Sequence, residues 1–284
     1  MSTATTVDDP LRARAGRAAH RGYGAAVAGL GVLCLRAGDL GYVFQPVPGW
    51  LPLHAGLAYA SGAVMLAGGV ALLARTATRL AALVLTIHFA AWLLVLNLPN
   101  TLGNPTAIGN WEGCGLNMSV LAGAWILLAV STPWPAGRVA RLVGDRGVQL
   151  ARRVFALGVP LVGLAHFLTA AAAATVYVPA WLPLPVGWVY LTGAGHIAAG
   201  LAILFGVLPR LAAVLEAAQI TAFVVLAHIP AVHDAPADPV QWAMLVYAAA
   251  IAAAAWLVAL TARRLGAVRG ASGAVLASLP RLVP

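Results

Sequence analysis

The chain contains no lysine, and charge of any kind is scarce: Asp, Glu, Lys and Arg make up 9% of its 284 residues. An average soluble domain carries about 25%. That scarcity excludes a water-soluble enzyme, a disordered protein and a nucleic-acid-binding module. Cysteine is nearly absent too, with only Cys34 and Cys114 and no C-x-x-C. A disulfide-stapled scaffold and thioredoxin-type dithiol exchange therefore lack their residues. Cys34 is expected near mid-membrane depth and Cys114 near the outer surface, so each reads as a small buried apolar residue. There is no phosphate-binding glycine loop, no Ser-His-Asp set and no zinc-type cluster. His233-Asp234 is a solvated loop rather than a metal site, and no metal centre is expected.

Long apolar runs take the place of what is missing. Hydrophobic residues make up 62% of the chain, and a helix crossing the hydrocarbon core needs about 20 of them in succession. Eight stretches qualify: Gly22–Tyr42, Leu53–Ala74, Leu80–Leu98, Gly113–Val130, Val154–Val176, Gly187–Gly206, Leu211–Ile229 and Trp242–Leu260. They are apolar all round and too long for barrel strands, which are about 10 residues of alternating character. The predicted fold class is an all-α membrane protein with eight transmembrane helices, each satisfying its own backbone groups in lipid.

Every basic residue is arginine, and the arginines fix an orientation. Arg12, Arg14, Arg17 and Arg21 precede the first span, and Arg75 and Arg79 follow the second. Arg138, Arg141, Arg146, Arg152 and Arg153 follow the fourth, Arg210 the sixth, and Arg263, Arg264, Arg269 and Arg281 the eighth. With eight crossings all of them fall on one side, while the last opposite loop carries Asp234 and Asp238. This is the positive-inside pattern, with both termini cytoplasmic. The net charge of +9 is then a topology signal and a contact with anionic headgroups, not a sign of nucleic acid. A cleaved signal ending at Cys34 is disfavoured by the bulky Leu33 before it. The bias to arginine and alanine hints at high-GC coding, and the expected location is the bacterial cytoplasmic membrane.

The chain also resembles itself. Val47-Pro48-Gly49-Trp50-Leu51-Pro52 returns as Val178-Pro179-Ala180-Trp181-Leu182-Pro183, 131 residues later. At the same offset Tyr59 matches Tyr190, Gly69 matches Gly200, and Arg79-Leu80-Ala81-Ala82 matches Arg210-Leu211-Ala212-Ala213. Pro99 and Pro230, Pro105 and Pro236, Trp111 and Trp242, and Trp125 and Trp256 follow. Shared Trp and Pro do not recur by chance as Ala and Leu do. Four spans per unit give two tandem four-helix bundles in a parallel repeat. The expected divisions are a cytoplasmic tail at 1–21, a first unit at 22–133, a linker at 134–153, a second unit at 154–262 and a tail at 263–284. In the linker, Val139, Leu142, Val143 and Val148 alternate with arginines, which predicts an interfacial amphipathic helix.

Val178–Pro183, Trp188–Gly200, Arg210–Ala213 and the His228-Ile229-Pro230 ending resemble the DoxX-like membrane family. Asn97-Leu98-Pro99 and Asn104-Pro105 before Trp111 resemble it more loosely. The resemblance runs from about Arg21 to Leu260 and implies a tandem fusion of two four-helix units. It also implies a link to redox or detoxification proteins, because some members are membrane subunits of thiosulfate:quinone oxidoreductase. No catalytic signature comes with it.

Ionisable groups inside a bilayer are functional-site hypotheses by default. His166 is expected about 18 Å up its helix and His196 about 16 Å above the inner surface, at matching depth. Glu216 and Gln219 share a helical face and rise toward them. This midplane set suits a quinone headgroup, a proton relay or helix-packing hydrogen bonds; haem ligated by two histidines is the least favoured use. A second set lies toward the outside: Arg36 and Asp39, three apart, with His88, Asn97, Glu112 and Asn117. It could line a pocket in which Arg36 meets an oxoanion, or an Arg36–Asp39–Glu112 network could merely neutralise itself.

Three functions follow as expectations. The first is a membrane subunit or accessory protein of a quinone-linked redox or sulfur/thiol system, with a soluble redox partner on the cytoplasmic side. Any catalysis would be as part of a quinone-linked oxidoreductase. The second is a small-solute or anion transporter, disfavoured by the lack of Gly/Pro-broken helices at matching positions. The third is a non-catalytic scaffold.

Overall fold

The structure is a computed structural model that describes residues 10–47, 52–131 and 138–277. Expectations for residues 1–9, 48–51, 132–137 and 278–284 lie outside these. The described chain is helical and contains no strand. Its helices are α1 (Pro10–Ala37), α2 (His54–Ala74), α3 (Thr78–Gly103), α4 (Ile108–Val130), α5 (Gly144–Leu168), α6 (Ala170–Tyr177), α7 (Pro185–Phe205), α8 (Pro209–Asp234) and α9 (Pro239–Ala277).

Among the described residues, seven helices are long and apolar enough to cross a membrane: α2 to α5 and α7 to α9. The first, α1, is a 28-residue helix, but its uncharged stretch runs only from Gly22 to Leu35, between Arg21 and Arg36. It stops at Ala37, short of the expected Tyr42, because Gly38 turns left-handed (φ 62°) and its N–H returns to Cys34 O at 2.9 Å. Cys34 sits one turn from the end of α1, with its Sγ 3.2 Å from Ala58 O. Both cysteines are free and buried. The anticipated linker helix is divided. Arg138–Leu142 is a 3-10 turn, and Gly144–Arg153 forms the first turns of α5. Val148 and Arg152 are buried there, while Asp145, Arg146, Gln149 and Arg153 are exposed, so these turns carry one buried and one exposed face.

The helices pack as two rings sharing a wall. One ring runs α1–α2–α3–α4–α9, the other α4–α5–α7–α8–α9, and α4 and α9 touch between them. Lipid offers no hydrophobic drive to bring helices together, so close backbone approach at small residues does that work. A methyl group on Gly69 of α2 would come within 2.6 Å of Gly24 O in α1. On Gly200 of α7 it would come within 2.8 Å of Ala156 O in α5. Across the α4–α5 contact, a methyl on Gly158 would lie 2.8 Å from Gly115 O. Tyr23 Oη donates to Val120 O (2.6 Å) and ties α1 to the shared wall.

Several local features recur 131 residues apart. Leu53 and Leu184 precede α2 and α7 with φ of 56° and 55°, and Ala77 and Leu208 precede α3 and α8 with φ of 46° and 44°. Trp111 Nε1 donates to Pro105 O at 2.9 Å, and Trp242 Nε1 to Pro236 O at 2.9 Å. In mid-course α3 widens into a π-turn at Trp92–Asn97, and α8 does so at Val224–His228. Each widening ends just before Leu98-Pro99 or Ile229-Pro230. Proline has no N–H and its ring crowds the carbonyl four residues back. The π-turn moves that carbonyl away, and the preceding N–H reaches five residues back instead: Leu98 to Leu93 O, Ile229 to Val224 O. Matched interruptions of two helices are therefore present, contrary to the expectation from sequence.

Candidate functional site

The second ring encloses a cavity of ≈ 980 Å³. Its walls come from α4 to α9, and the first ring adds Asn97 of α3 and Gln45 from the segment after α1. All four midplane residues line it: His166, His196, Glu216 and Gln219. The imidazoles of His166 and His196 are in contact, at a centroid separation of 5.1 Å and nearly perpendicular (78°). Phe223 closes the group, 5.8 Å from His196 and 6.2 Å from His166.

The centre is a hydrogen-bonded acid–imidazole pair. His196 Nδ1 lies 2.6 Å from Glu216 Oε1, with both residues about 97% or more buried (3% and 2% exposed). At that separation a proton lies between the two atoms whichever of them formally carries it. The other carboxylate oxygen, Oε2, is buried and has no hydrogen-bond partner. Such an oxygen is costly to bury, and an interior with few donors strengthens whatever reaches it.

Around this pair the polar groups are held in fixed roles. Thr192 lies one turn before His196 on α7, and its hydroxyl donates to Trp188 O at 2.8 Å. With its proton committed there, Thr192 Oγ1 accepts from His166 Nδ1 across 3.2 Å, which leaves the lone pair of His166 on Nε2. Gln219 Nε2 donates to Thr192 O at 3.0 Å. Farther along the cavity, Tyr247 of α9 lies beside Gln45. Both are buried, and Tyr247 Oη and Gln45 Oε1 have no hydrogen-bond partner.

The outer set is split. Asn97 and Glu112 line the cavity, and Asn97 Oδ1 accepts from Asn117 Nδ2 at 2.7 Å just behind the wall. Asn117 also donates to Phe89 O (3.3 Å), spanning α4 and α3. Arg36, Asp39 and His88 lie elsewhere. Arg36 is exposed at the end of α1, and Asp39 Oδ1 accepts from Gly41 N–H at 2.8 Å. Among the described residues no ion pair joins Arg36 to Asp39 or Glu112. Arg36, in the last turn of α1, and Asp39, just beyond it, do not line the cavity. His88 lies against Trp92 in the first ring, with centroids 4.5 Å apart and the rings tilted by 54°.

Sequence reasoning missed Thr192, His228, Gln45 and Tyr247. Thr192 was findable, one turn from His196 on the same face. His228 closes the π-turn of α8 as Asn97 closes that of α3, and both line the cavity. Gln45 and Tyr247 meet only through tertiary packing. Among the described residues no cluster of three or more His, Cys, Asp or Glu could hold a metal. No family model, curated protein or solved structure matches the chain.

Proposed function

We propose that the protein is a membrane subunit of a quinone-linked redox system, with the cavity of the second ring holding a quinone headgroup. The observation that carries this is the buried His196–Glu216 pair, with Glu216 Oε2 unpartnered at the wall of a largely apolar chamber. A quinone headgroup is flat, apolar on both faces and edged by carbonyl oxygens. It fits walls of Phe223, Tyr177 and Trp188 and edge contacts from imidazole, amide and phenol groups. Quinone chemistry takes up two electrons and two protons. The residues here are suited to the proton part: His196 and Glu216 hold one proton between them, and His166 presents a second imidazole beside them. Electrons come from a soluble partner docking on the arginine-rich face. The DoxX-like resemblance supports the same assignment.

In this account α1 is the eighth span, with Arg21 and Arg36 snorkelling to the two interfaces around a short apolar stretch. The chain is then two tandem four-helix units in one orientation, with both termini cytoplasmic in a bacterial cytoplasmic membrane. The features recurring at 131 residues support the tandem origin.

The test is titration of purified protein in lipid nanodiscs with ubiquinone and menaquinone analogues. Saturable binding that weakens at least tenfold in His196→Ala and Glu216→Gln is expected. No binding by the wild type, or equal binding by both variants, overturns the assignment. Small-solute transport is the second function, and the matched π-turns of α3 and α8 favour it, since paired interruptions mark transporter sites. Liposome flux of a small anion that falls in a His228→Ala variant would select transport over quinone binding.

A further inference from the structure

The wall of the second ring's chamber is open along the seam between α7 and α8. These helices meet where Gln219 Nε2 donates to Thr192 O at 3.0 Å, and where a methyl on Gly195 would strike Gln219 Oε1. Outward of that contact the seam is flanked by Trp188 and Leu191 on α7 and by Ala222 and Leu226 on α8. All four line the chamber. All four are also exposed, Leu191 by 61% and Leu226 by 45%. A side chain that lines a chamber and lies open on the molecule's surface marks a passage from one to the other.

The passage lies inside the membrane-spanning part of both helices. Leu191 is six residues into α7 from Pro185, about 9 Å along its axis at 1.5 Å per residue. Leu226 is eight residues short of Asp234 at the end of α8, about 12 Å. The rim carries no charge, so it opens on acyl chains. A separate mouth lies toward the outer loops, where the exposed Gly109 and Trp181 also line the chamber.

The first ring is filled at the same level. Phe223 and Ala227 line the chamber beside the passage. They correspond at 131 residues to Trp92 and Leu96, both 5% exposed. Larger side chains thus stand buried where the second ring has space. Ala91 and Val95, which match the α8 rim, are exposed as well. The repeated helical frame supplies the exposed rim, and the second ring alone adds the space beside it.

We infer that the chamber takes a ligand with a long apolar chain, admitted from the bilayer through this passage. The ring sits in the chamber, and the start of the chain lies between α7 and α8. This deepens the quinone reading and rests on it: the ligand is a lipid-resident quinone with a polyisoprenoid-type tail, not a water-soluble one. The volume agrees, since ≈ 980 Å³ is at the upper end of small-molecule sites (about 300–1,000 Å³) and leaves room beyond a single ring. The spacing agrees too. His196 and Glu216 lie five and six residues deeper than Leu191 and Ala222 on the same helices, about 7–9 Å along the axes. A chain held at the rim therefore delivers its ring to the buried pair.

The experiment uses the full chain in lipid nanodiscs and two probes that share one ring: decyl-ubiquinone and the same dimethoxy-methyl-benzoquinone without the chain. In Ala222→Trp the affinity for the decyl compound should fall about tenfold, while that for the chain-less ring should change less than about twofold. Ala91→Trp, at the matching exposed alanine of the first ring, should change neither. A diazirine on the first carbons of the decyl chain gives a readout that needs no variant, and it should label α7 near Leu191 or α8 near Leu226. Labelling confined to the outer mouth at Gly109 and Trp181 overturns the inference and leaves the quinone reading standing. So does an unchanged decyl affinity, or an equal loss for both probes, in Ala222→Trp. Binding of neither probe by the wild type overturns both.

Discussion

The two rings hold different chemistry at corresponding positions. In the second, His196 and Glu216 form a buried hydrogen-bonded pair at 2.6 Å. In the first, the residues 131 positions earlier are Met65 and Leu85, both 0% exposed. The surroundings match closely: α2 and α7 each begin after a left-handed leucine, and α3 and α8 each widen before a proline. The same helical frame thus closes over a thioether and an isobutyl group on one side and over an imidazole and a carboxyl group on the other. The helices do not require the ionisable pair. Burying two such groups has a desolvation cost that an apolar pair avoids, so the pair is best explained by what occupies the chamber beside it.

The comparison is broken most severely by removing one partner only. His196→Ala leaves Glu216 buried without its hydrogen bond, and a loss of about 3–5 kcal/mol in unfolding free energy is expected, measured by reversible unfolding in detergent. Importing the first ring's residues does the opposite. The double variant His196→Met, Glu216→Leu should fold as well as the wild type, or be more stable by about 1–4 kcal/mol, while losing quinone binding.

The remaining predictions test the shared frame. Gly69→Ala and Gly200→Ala place a methyl against a facing backbone oxygen, at 2.6 and 2.8 Å. Each should cost about 1–3 kcal/mol, and a large difference between them would show that the rings pack by different rules. Asn117→Ala removes the clamp on Asn97 Oδ1 and Phe89 O. It should cost about 1–3 kcal/mol through unpaired buried groups. Trp111→Phe and Trp242→Phe each delete one hydrogen bond to a proline carbonyl. Equal losses near 1 kcal/mol are expected, the smallest effects of the set.

Much of this frame was legible in the sequence because membrane helices announce themselves by composition. Span limits such as Leu53–Ala74 fall within a residue of α2, since the apolar run and the helix end for the same reason. The midplane set was legible because ionisable residues are so few that depth alone brings His166, His196, Glu216 and Gln219 together. What sequence could not give was direction. Arg36 and Asp39 lie near the end of α1, yet neither lines the cavity. Glu112 and Asn97 reach the cavity, while His88, on the same helix as Asn97, turns to Trp92. For His88 a helical count was enough: nine residues at about 100° each put it on the opposite side of α3 from Asn97. Gln45 and Tyr247 come from segments about 200 residues apart and are joined only by the closure of the rings.

The central claim is that the ionisable pair serves the chamber and not the fold. Quinone-analogue binding by the His196→Met, Glu216→Leu variant, compared with the wild type in the same nanodiscs, tests it most directly. A folded variant at least as stable as the wild type, with binding reduced tenfold or more, is the result the account predicts. Undiminished binding by that variant, or a variant that no longer folds, would contradict it.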